Sequence, residues 1–270
     1  MDKHHIISLG AGVQSSTMLL MAIHGEITPK PELAIFADTR EPKNVYAWLD
    51  YLQPLAEASG ITVKRVKRGD IYRDVMSATK DGHLDNPPFH VRDEHGEMQM
   101  IRRKCTGYYK KAIIRKTVNQ WVGGDVRNEK VVQWFGISWD EIERMHTSDV
   151  KYIEHRYPLV ELQMTRFDCL KWMSSHGYSQ PPKSSCTFCP FHSDHHWLQL
   201  YENDPTSFAE AEMVDGHIRN NVPGLRGQAY LHKSGQPLRM AIEAVKRAKD
   251  AQYTLFNMGD FQECGGYCGV

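Results

Sequence analysis

The sequence predicts an α/β fold whose core is a doubly wound, mostly parallel, Rossmann-like sheet. The first observation is an apolar strand at residues 6–9 that runs through a glycine-rich turn into an apolar helix. The second is a pair of strand-like runs at 32–39 and 61–66, separated by helical spacing over 42–59. The third is an apolar run at 131–137 that ends in polar residues. This β-α-β order places a ligand beyond the carboxyl ends of the strands.

The glycine-rich turn after the first strand indicates an anion site. Gly10 and Gly12 let the backbone approach phosphate oxygens, and hydroxyl groups follow at Ser15, Ser16 and Thr17. The helix that begins there carries roughly half a positive charge at its N-terminus, together with N–H groups that have no helical acceptor. A phosphorylated ligand is one interpretation of this turn. An ordinary strand-to-helix turn with a serine cap is the other.

The remaining segments are less regular. Residues 79–100 lack both the helical and the strand period and are interpreted as a polar insertion, either a lid over the site or a disordered segment. A basic helix is predicted over 102–121 and another helix over 165–175. We therefore expect an α/β domain over 1–160 and a cysteine-containing helical and loop region over 161–270 that packs on the same domain.

The balanced charge and the cysteine content limit the class of protein. The 270 residues include 33 basic and 33 acidic side chains, so no overall field draws the chain to nucleic acid or to an anionic membrane. No apolar stretch approaches the roughly 18 residues of a membrane span, and we expect a cytoplasmic protein. Six unevenly spaced cysteines do not form the pattern of a disulfide-stapled secreted domain and indicate metal or redox chemistry.

The cysteine spacing predicts a metal or cluster site. Cys186 and Cys189 form a Cys-x-x-Cys half-site that suits zinc or an iron–sulfur cluster, both of which take about four ligands. Cys105 lies among basic residues, which favour its thiolate, and is the predicted third ligand. Cys264 or Cys268, in a glycine-rich tail, is the candidate fourth ligand.

Three other features have competing interpretations. Cys169, in an apolar helical stretch, is predicted to be a core residue. The histidines His192, His195 and His196 are candidate nitrogen ligands for zinc, or else part of a solvated polar loop or a phosphate contact. The basic segment 102–116 is either an anion-binding surface or a solvated helix face.

The motifs and their order resemble those of a known superfamily. Residues 10–16 resemble the PP-loop, usually S-G-G-x-D-S, of the adenine nucleotide alpha hydrolases, also called N-type ATP pyrophosphatases. Residues 36–39 resemble the acid-threonine strand end of the phosphoadenosine phosphosulfate (PAPS) reductase branch. Cys105 followed by residues 186–189 is similar to the split cysteine set that holds a [4Fe-4S] cluster in adenylylsulfate-type reductases, and 263–265 is similar to their E-C-G tail. The order of these motifs in the chain also resembles that of the PAPS reductase-like proteins of phages and mobile elements.

The resemblance implies an adenine-nucleotide-binding enzyme of sulfur metabolism. Its nucleotide is ATP or a phosphoadenosine sulfonucleotide, with Mg²⁺ as a candidate companion. Cys264 would attack sulfur as a thiolate, while Arg103 and Lys110 would neutralise sulfate or phosphate oxygens. The implied ligands of an iron–sulfur cluster, or alternatively of zinc, are Cys105, Cys186, Cys189 and Cys268. The implied nucleotide-binding residues are Ser8, Gly10, Gly12, Gln14, Ser15, Ser16, Asp38, Thr39, Gly136 and Ser138.

Two departures from the family pattern keep three functions open. Gln14 stands where the family has an acidic residue, so nucleotide binding is predicted more directly than ATP cleavage, and a single Cys105 stands where the reductases have a cysteine pair. The first function is PAPS reductase-like oxidoreduction. The second is ATP-dependent sulfur transfer to a nucleobase or nucleic acid, and the third is nucleotide binding by a non-catalytic, zinc-stabilised protein. Candidate partners are a thioredoxin-like reductant, a cysteine desulfurase, a nucleic-acid substrate and a second copy in a homodimer; no membrane partner is expected.

Overall fold

The computed structural model describes residues 3–123 and 130–251. The strands in chain order are β1 (His4–Ser8), β2 (Leu33–Ala37), β3 (Thr62–Val66), β4 (His90–Arg92), β5 (Met98–Met100), β6 (Val131–Phe135), β7 (Ile153–Arg156) and β8 (Gln228–Tyr230). The α-helices are α1 (Val13–Ile23), α2 (Lys43–Ala58), α3 (Ile71–Met76), α4 (Ala112–Trp121), α5 (Pro158–Glu161), α6 (Arg166–Ser175), α7 (Asp194–Asn203), α8 (Pro205–Asn221) and α9 (Leu238–Ala251).

The central sheet is parallel and has the strand order β3-β2-β1-β6-β7. Strand β1 pairs with β2 on one side and with β6 on the other, so the chain winds outward from β1 in both directions. The residues of β2 and β6 are buried throughout, as expected where helices cover both faces of a parallel sheet. The predicted doubly wound α/β fold is confirmed. Its crevice lies beyond the carboxyl ends of β1 and β6, where the winding direction reverses.

Helices on both faces of this sheet bury apolar side chains and so fix the position of the crevice. On one face, α1, α2 and α6 contribute Leu19, Leu52 and Met173 to a core that includes Trp134 of β6. On the other face, α4 packs against β1 and β2, with Val118 fully buried. The helices predicted over 42–59 and 165–175 are confirmed as α2 and α6.

A second, antiparallel sheet has the order β5-β4-β8 and packs with the later helices around its own apolar core. The fully buried members of this core include Phe89, Phe188 and Trp197. Of the two interpretations of 79–100, the disordered segment is wrong, because β4 and β5 form a hairpin there and β4 pairs with β8, while a lid over the site stays a prediction. Strands from both sides of residue 160 therefore share one sheet, while the division of the chain into 1–160 and 161–270 stays a prediction.

Two further elements differ from the sequence prediction. The helix predicted over 102–121 is a π-helical turn at Thr106–Lys111 that continues into α4, and residues 102–104 precede it in an irregular conformation. Strand β7 was not predicted, and it is a short edge strand in which only Ile153 is buried. Within residues 3–123 and 130–251, no helix has the length and apolar character needed to cross a membrane.

Candidate functional site

The predicted anion site lies between β1 and α1. Gly12 is the N-cap of α1 and supplies no side-chain cap, and Ala11 has a left-handed backbone with φ 60°. The amide N–H of Ser16 donates to the Gly12 carbonyl at 3.0 Å. The preceding N–H groups, at residues 13–15, belong to the first helical turn and have no acceptor within the helix. The turn therefore has the geometry that backbone recognition of phosphate requires.

Gly136 brings the end of β6 against this turn. A Cβ atom on Gly136 would lie 2.6 Å from both the amide nitrogen and the Cα of Ser15, which is far inside contact distance. Only glycine allows this approach of two backbones. The first turn of α1 and the loop after β6 therefore form one surface at the point where the winding direction reverses.

The hydroxyl groups near the turn have internal partners. The Ser16 hydroxyl is fully buried and accepts from the indole N–H of Trp48 at 2.9 Å. The Ser8 hydroxyl accepts from the amide of Gln133 at 2.6 Å. Both hydroxyls therefore stabilise the interior, and the nucleotide-binding role of Ser8 and Ser16 stays a prediction. The Ser15 hydroxyl stays in the turn, 3.4 Å from the Gly12 carbonyl.

Gln14 is held in a polar network that the sequence analysis did not identify. Its amide nitrogen donates to Oε2 of Glu141 at 3.1 Å and lies 3.4 Å from the hydroxyl of Ser138. Its amide oxygen accepts from Arg166 at 3.2 Å, and Glu141 pairs with Arg144 at 2.5 Å. A 3₁₀ helix at 139–144 thus brings the Glu141 carboxylate, with its Arg144 partner, next to Gln14.

The loop after β2 uses Asp38 to fix its own shape. Oδ1 of Asp38 accepts from the hydroxyl of Tyr46 at 2.7 Å and from the amide of Arg40 at 2.8 Å. Burial and the Asp38 carboxylate raise the pKa of Tyr46 far above its usual range. Arg40 in turn forms a bidentate pair with Glu210 of α8, with both distances 2.8 Å. These contacts hold the carboxyl end of β2 against the second core.

A buried ion pair follows in the same loop. The Glu41 carboxylate is completely buried and accepts from the hydroxyl of Thr39 at 2.9 Å. Nζ of Lys110, from the π-helical turn, lies 3.6 Å from the same carboxylate oxygen. The hydroxyl of Ser184 lies 3.4 Å from the other oxygen. Glu41 thus connects the loop after β2, the basic turn and the segment that leads into Cys186.

Three of the predicted ligands line one small cavity. Cys105, Cys186 and Cys189 surround a space of about 30 Å³, together with Arg103 and Lys110. The Cys189 thiol forms a hydrogen bond that favours the Cys186 thiolate, but burial and the neighbouring Cys105 and Glu41 charges raise the pKa of Cys186 overall. We call this space the cysteine cavity. It joins residues that are 84 positions apart in the sequence (105 and 189).

The cysteine cavity lies beside the predicted anion site. We call this site, the turn at residues 9–12 with the first turn of α1, the anion turn. A Cβ atom on Gly12 would meet the Ser184 side chain at 4.0 Å, an ordinary contact distance. The amide of Thr187, between the two cysteines, donates to the Arg40 carbonyl at 2.9 Å. The Cys-x-x-Cys turn is therefore attached to the carboxyl edge of the central sheet.

Of the other three cysteines, the structure describes only Cys169. Cys169 is fully buried in α6, and burial raises its pKa to about 12, so its prediction as a core residue is confirmed. Cys264 and Cys268 lie outside the described residues, and their predicted roles stay predictions.

In the described part of the chain, no set of three or more His, Cys, Asp or Glu side chains is arranged to hold a metal ion. The three thiols around one cavity, with cationic neighbours, do provide the donor type that iron–sulfur clusters take.

A second pocket lies on the α4 face of the sheet. Its volume is about 230 Å³, and it shares Lys110 with the cysteine cavity. Nδ1 of His155 donates to the His146 carbonyl at 2.9 Å, and burial lowers the pKa of both histidines. We call this space the histidine pocket. It is lined by Lys110, Lys111, Ile114, Arg115, Gln133, Phe135, His146, Thr147, Ser148, Asp149, Ile153 and His155.

No protein-family model and no curated protein sequence matches the chain. Among solved structures, the chain is similar to U34-tRNA thiolase NcsA from Methanococcus maripaludis with its [4Fe-4S] cluster. The sequence identity is 16%, the TM-score is 0.40, and the match covers 80% of this chain and 70% of that chain. The fold and the site define this chain as a doubly wound α/β protein with an anion turn and a cysteine cavity at one edge of its parallel sheet.

The histidines after Cys189 are mostly interior residues. His192 and His196 are buried, and their ring centroids lie 4.1 Å apart. The interpretation of both as residues of a solvated loop is therefore wrong. Burial and the nearby Lys183 and His195 charges lower the pKa of His196 to about 3.

This depressed pKa predicts a loss of stability in acid. Between pH 6.5, the ordinary value for histidine, and about 3, the unfolded chain binds a proton at His196 that the folded chain excludes. The free energy of unfolding should fall by up to about 1.4 kcal/mol for each pH unit in this window. Urea unfolding of the wild type and of His196→Leu checks this, and the variant should show the smaller slope. The exposed His83, changed in His83→Leu, is the matched control, and an unchanged slope in His196→Leu would contradict the assignment.

Proposed function

We propose that this protein is an adenine-nucleotide-dependent sulfur-transfer enzyme of the PP-loop type. The anion turn binds the phosphates of ATP, the cysteine cavity carries the sulfur, and the histidine pocket receives part of the acceptor. The observation that carries the proposal is the closeness of the segment leading into Cys186 to the anion turn, since a Cβ atom on Gly12 would lie 4.0 Å from the Ser184 side chain. Sulfur and activated acceptor are then next to each other at one edge of the sheet.

The nucleotide is held mainly by backbone groups and by the Gln14 network. The N–H groups of residues 13–15 bind phosphate oxygens, as helix N-termini do. Arg166 and Arg144 bring positive charge to the same side of the turn. Glu141 supplies the carboxylate that Gln14 lacks, and a carboxylate oxygen is a suitable ligand for Mg²⁺.

Cys105, Cys186 and Cys189 would hold the iron–sulfur cluster, and Cys268, outside the described residues, is the proposed fourth ligand. The donor set fits, because three thiols line one cavity and Arg103 and Lys110 offset the negative charge of thiolates. When bound, the cluster supplies a place to carry sulfur in reduced form. Zinc in the same site would instead support the non-catalytic alternative.

The proposed reaction balances with ATP and sulfide as co-substrates. A carbonyl oxygen of the acceptor attacks the α-phosphorus of ATP, and pyrophosphate leaves. Sulfide then adds to the activated carbon, the bond to the AMP oxygen breaks, and a thiocarbonyl remains. Lys110 faces both the cysteine cavity and the histidine pocket and stabilises negative charge as it develops between them. A nucleobase of a nucleic acid is the proposed acceptor. A cysteine desulfurase is the proposed source of sulfur, which it delivers as a persulfide, and a thioredoxin-like dithiol reduces this persulfide to sulfide and is itself oxidised to a disulfide.

Sulfonucleotide reduction is the alternative function, and the experiment must distinguish it from sulfur transfer. It needs Cys264 as the nucleophile, and that residue lies outside the described part of the chain. The cations Arg103 and Lys110 at the cysteine cavity are compatible with a sulfate group. The two reactions differ in their products, because sulfur transfer releases pyrophosphate and AMP, whereas reduction releases sulfite.

The proposed function predicts a sharp difference among the cysteine variants. Anaerobically prepared wild type should contain iron and should release pyrophosphate from ATP when sulfide and bulk RNA or DNA are present. Replacement by serine at Cys105, Cys186 or Cys189 should lower bound iron and turnover at least about tenfold, because each removes a ligand. Cys169→Ser is the control, since that thiol lies in the α6 core. Sulfite release from PAPS without ATP turnover would establish reduction instead, and a colourless zinc protein without turnover would overturn both.

A further inference from the structure

The segment after the Cys-x-x-Cys turn contains an unusual concentration of buried polar atoms. In residues 3–123 and 130–251, the buried side-chain atoms without a hydrogen-bond partner include Nε2 of His192, Nε2 of His196 and the indole nitrogen of Trp197. Burying such atoms costs free energy, so their retention calls for a compensating role. Apolar residues of the same size would fill this part of the second core at lower cost.

His192 contacts both ends of the turn that carries the two thiols. Its backbone N–H donates to the Cys189 carbonyl at 3.1 Å. Nδ1 of its ring lies 3.3 Å from the Ser185 hydroxyl. One residue therefore connects the segment before Cys186 to the segment after Cys189.

The ring of His192 is itself fixed in place. Trp197 packs edge-on against it with ring centroids 4.5 Å apart, and His196 packs at 4.1 Å on another side. Both neighbours are in α7, whose start is set by the Ser193 hydroxyl accepting from the His196 amide at 3.2 Å. The His192 side chain is therefore held by a rigid helix rather than by the turn that it contacts.

We propose that His192 is a positioning residue that holds the Cys186–Cys189 turn in the shape required for ligation before any cluster binds. The contact of Nδ1 with the Ser185 hydroxyl fixes the segment that leads into the first thiol, and the backbone hydrogen bond to Cys189 fixes the second. An apolar ring of similar size would fill the space but leave the Ser185 hydroxyl without this partner. The part of the inference that concerns cluster retention rests on the proposed function.

Two substitutions separate this role from simple packing. His192→Asn keeps a polar group near the position of Nδ1, whereas His192→Gln moves it to the position of Nε2. We expect the Gln variant to alkylate faster than the Asn variant at Cys186 and Cys189 in metal-free protein, by about tenfold. Alkylation by iodoacetamide, followed by mass spectrometry of each cysteine, measures this. Cys169 gives the internal reference, and His195→Gln gives the matched control.

Cluster retention provides the second readout. In reconstituted protein, loss of iron to a chelator should be about tenfold faster in His192→Gln than in wild type and near wild type in His192→Asn. Equal alkylation and equal iron loss in the two variants, with unchanged thermal unfolding, would overturn the positioning role. A wild type that takes up no iron would refute the cluster, while the alkylation rates would still decide the role of His192.

Discussion

Replacing Gly136 with alanine is expected to destabilise the fold and to abolish nucleotide binding. The added Cβ would lie 2.6 Å from backbone atoms of Ser15, and neither backbone can move without displacing β6 or the first turn of α1. Overpacking of this kind costs about 1–3 kcal/mol, and the upper end applies because both contacts are with backbone. Urea unfolding gives the stability change, and fluorescence titration with an ATP analogue gives the affinity.

Gly216→Ala is the control for this substitution. Gly216 lies inside α8, and a Cβ there would meet nothing within 4 Å. Alanine at an interior helical position should stabilise the protein by about 0.5–1 kcal/mol. If Gly136→Ala binds the ATP analogue as tightly as wild type, the anion turn and the loop after β6 do not form one site.

The parallel sheet could be predicted because its signal is local. Strands β2 and β6 are mostly apolar runs, and β1 contains the apolar pair Ile6 and Ile7. The stripe Val45, Leu49 and Leu52 gives the period of α2 directly. The hairpin of β4 and β5 was missed for the converse reason. Met98 and Met100 are exposed and β4 is three residues long, so pairing with β8 rather than apolar periodicity produces these strands.

The candidate site was also predicted only in part, for the same reason. Cys186 and Cys189 are visible as a spaced pair, and the cationic setting suggested Cys105. Glu141 and Arg166 were missed because they reach Gln14 from distant elements, at sequence separations of 127 and 152 residues. The only signal for Glu141 was its place just beyond the carboxyl end of a strand.

Glu41→Gln is expected to have the second large effect. The substitution keeps the shape of the side chain and its contact with Thr39, but it removes the charge that lies 3.6 Å from Nζ of Lys110. The Lys110 side chain is only 14% exposed, so water replaces the lost carboxylate poorly. Breaking a buried pair from one side costs about 3 kcal/mol or more. Urea unfolding should show this loss.

The double variant Glu41→Gln/Lys110→Met tests the cause of that loss. Removing both charges leaves no uncompensated cation, so the double variant should be more stable than Glu41→Gln alone by about 1–2 kcal/mol. Iron binding separates stability from function in the same proteins, because Lys110 also lines the cysteine cavity. Glu57→Gln, on the exposed face of α2, is the matched control and should change stability by less than about 0.5 kcal/mol. If the double variant is no more stable than Glu41→Gln, the buried carboxylate stabilises the loop through Thr39 and Ser184 rather than through Lys110.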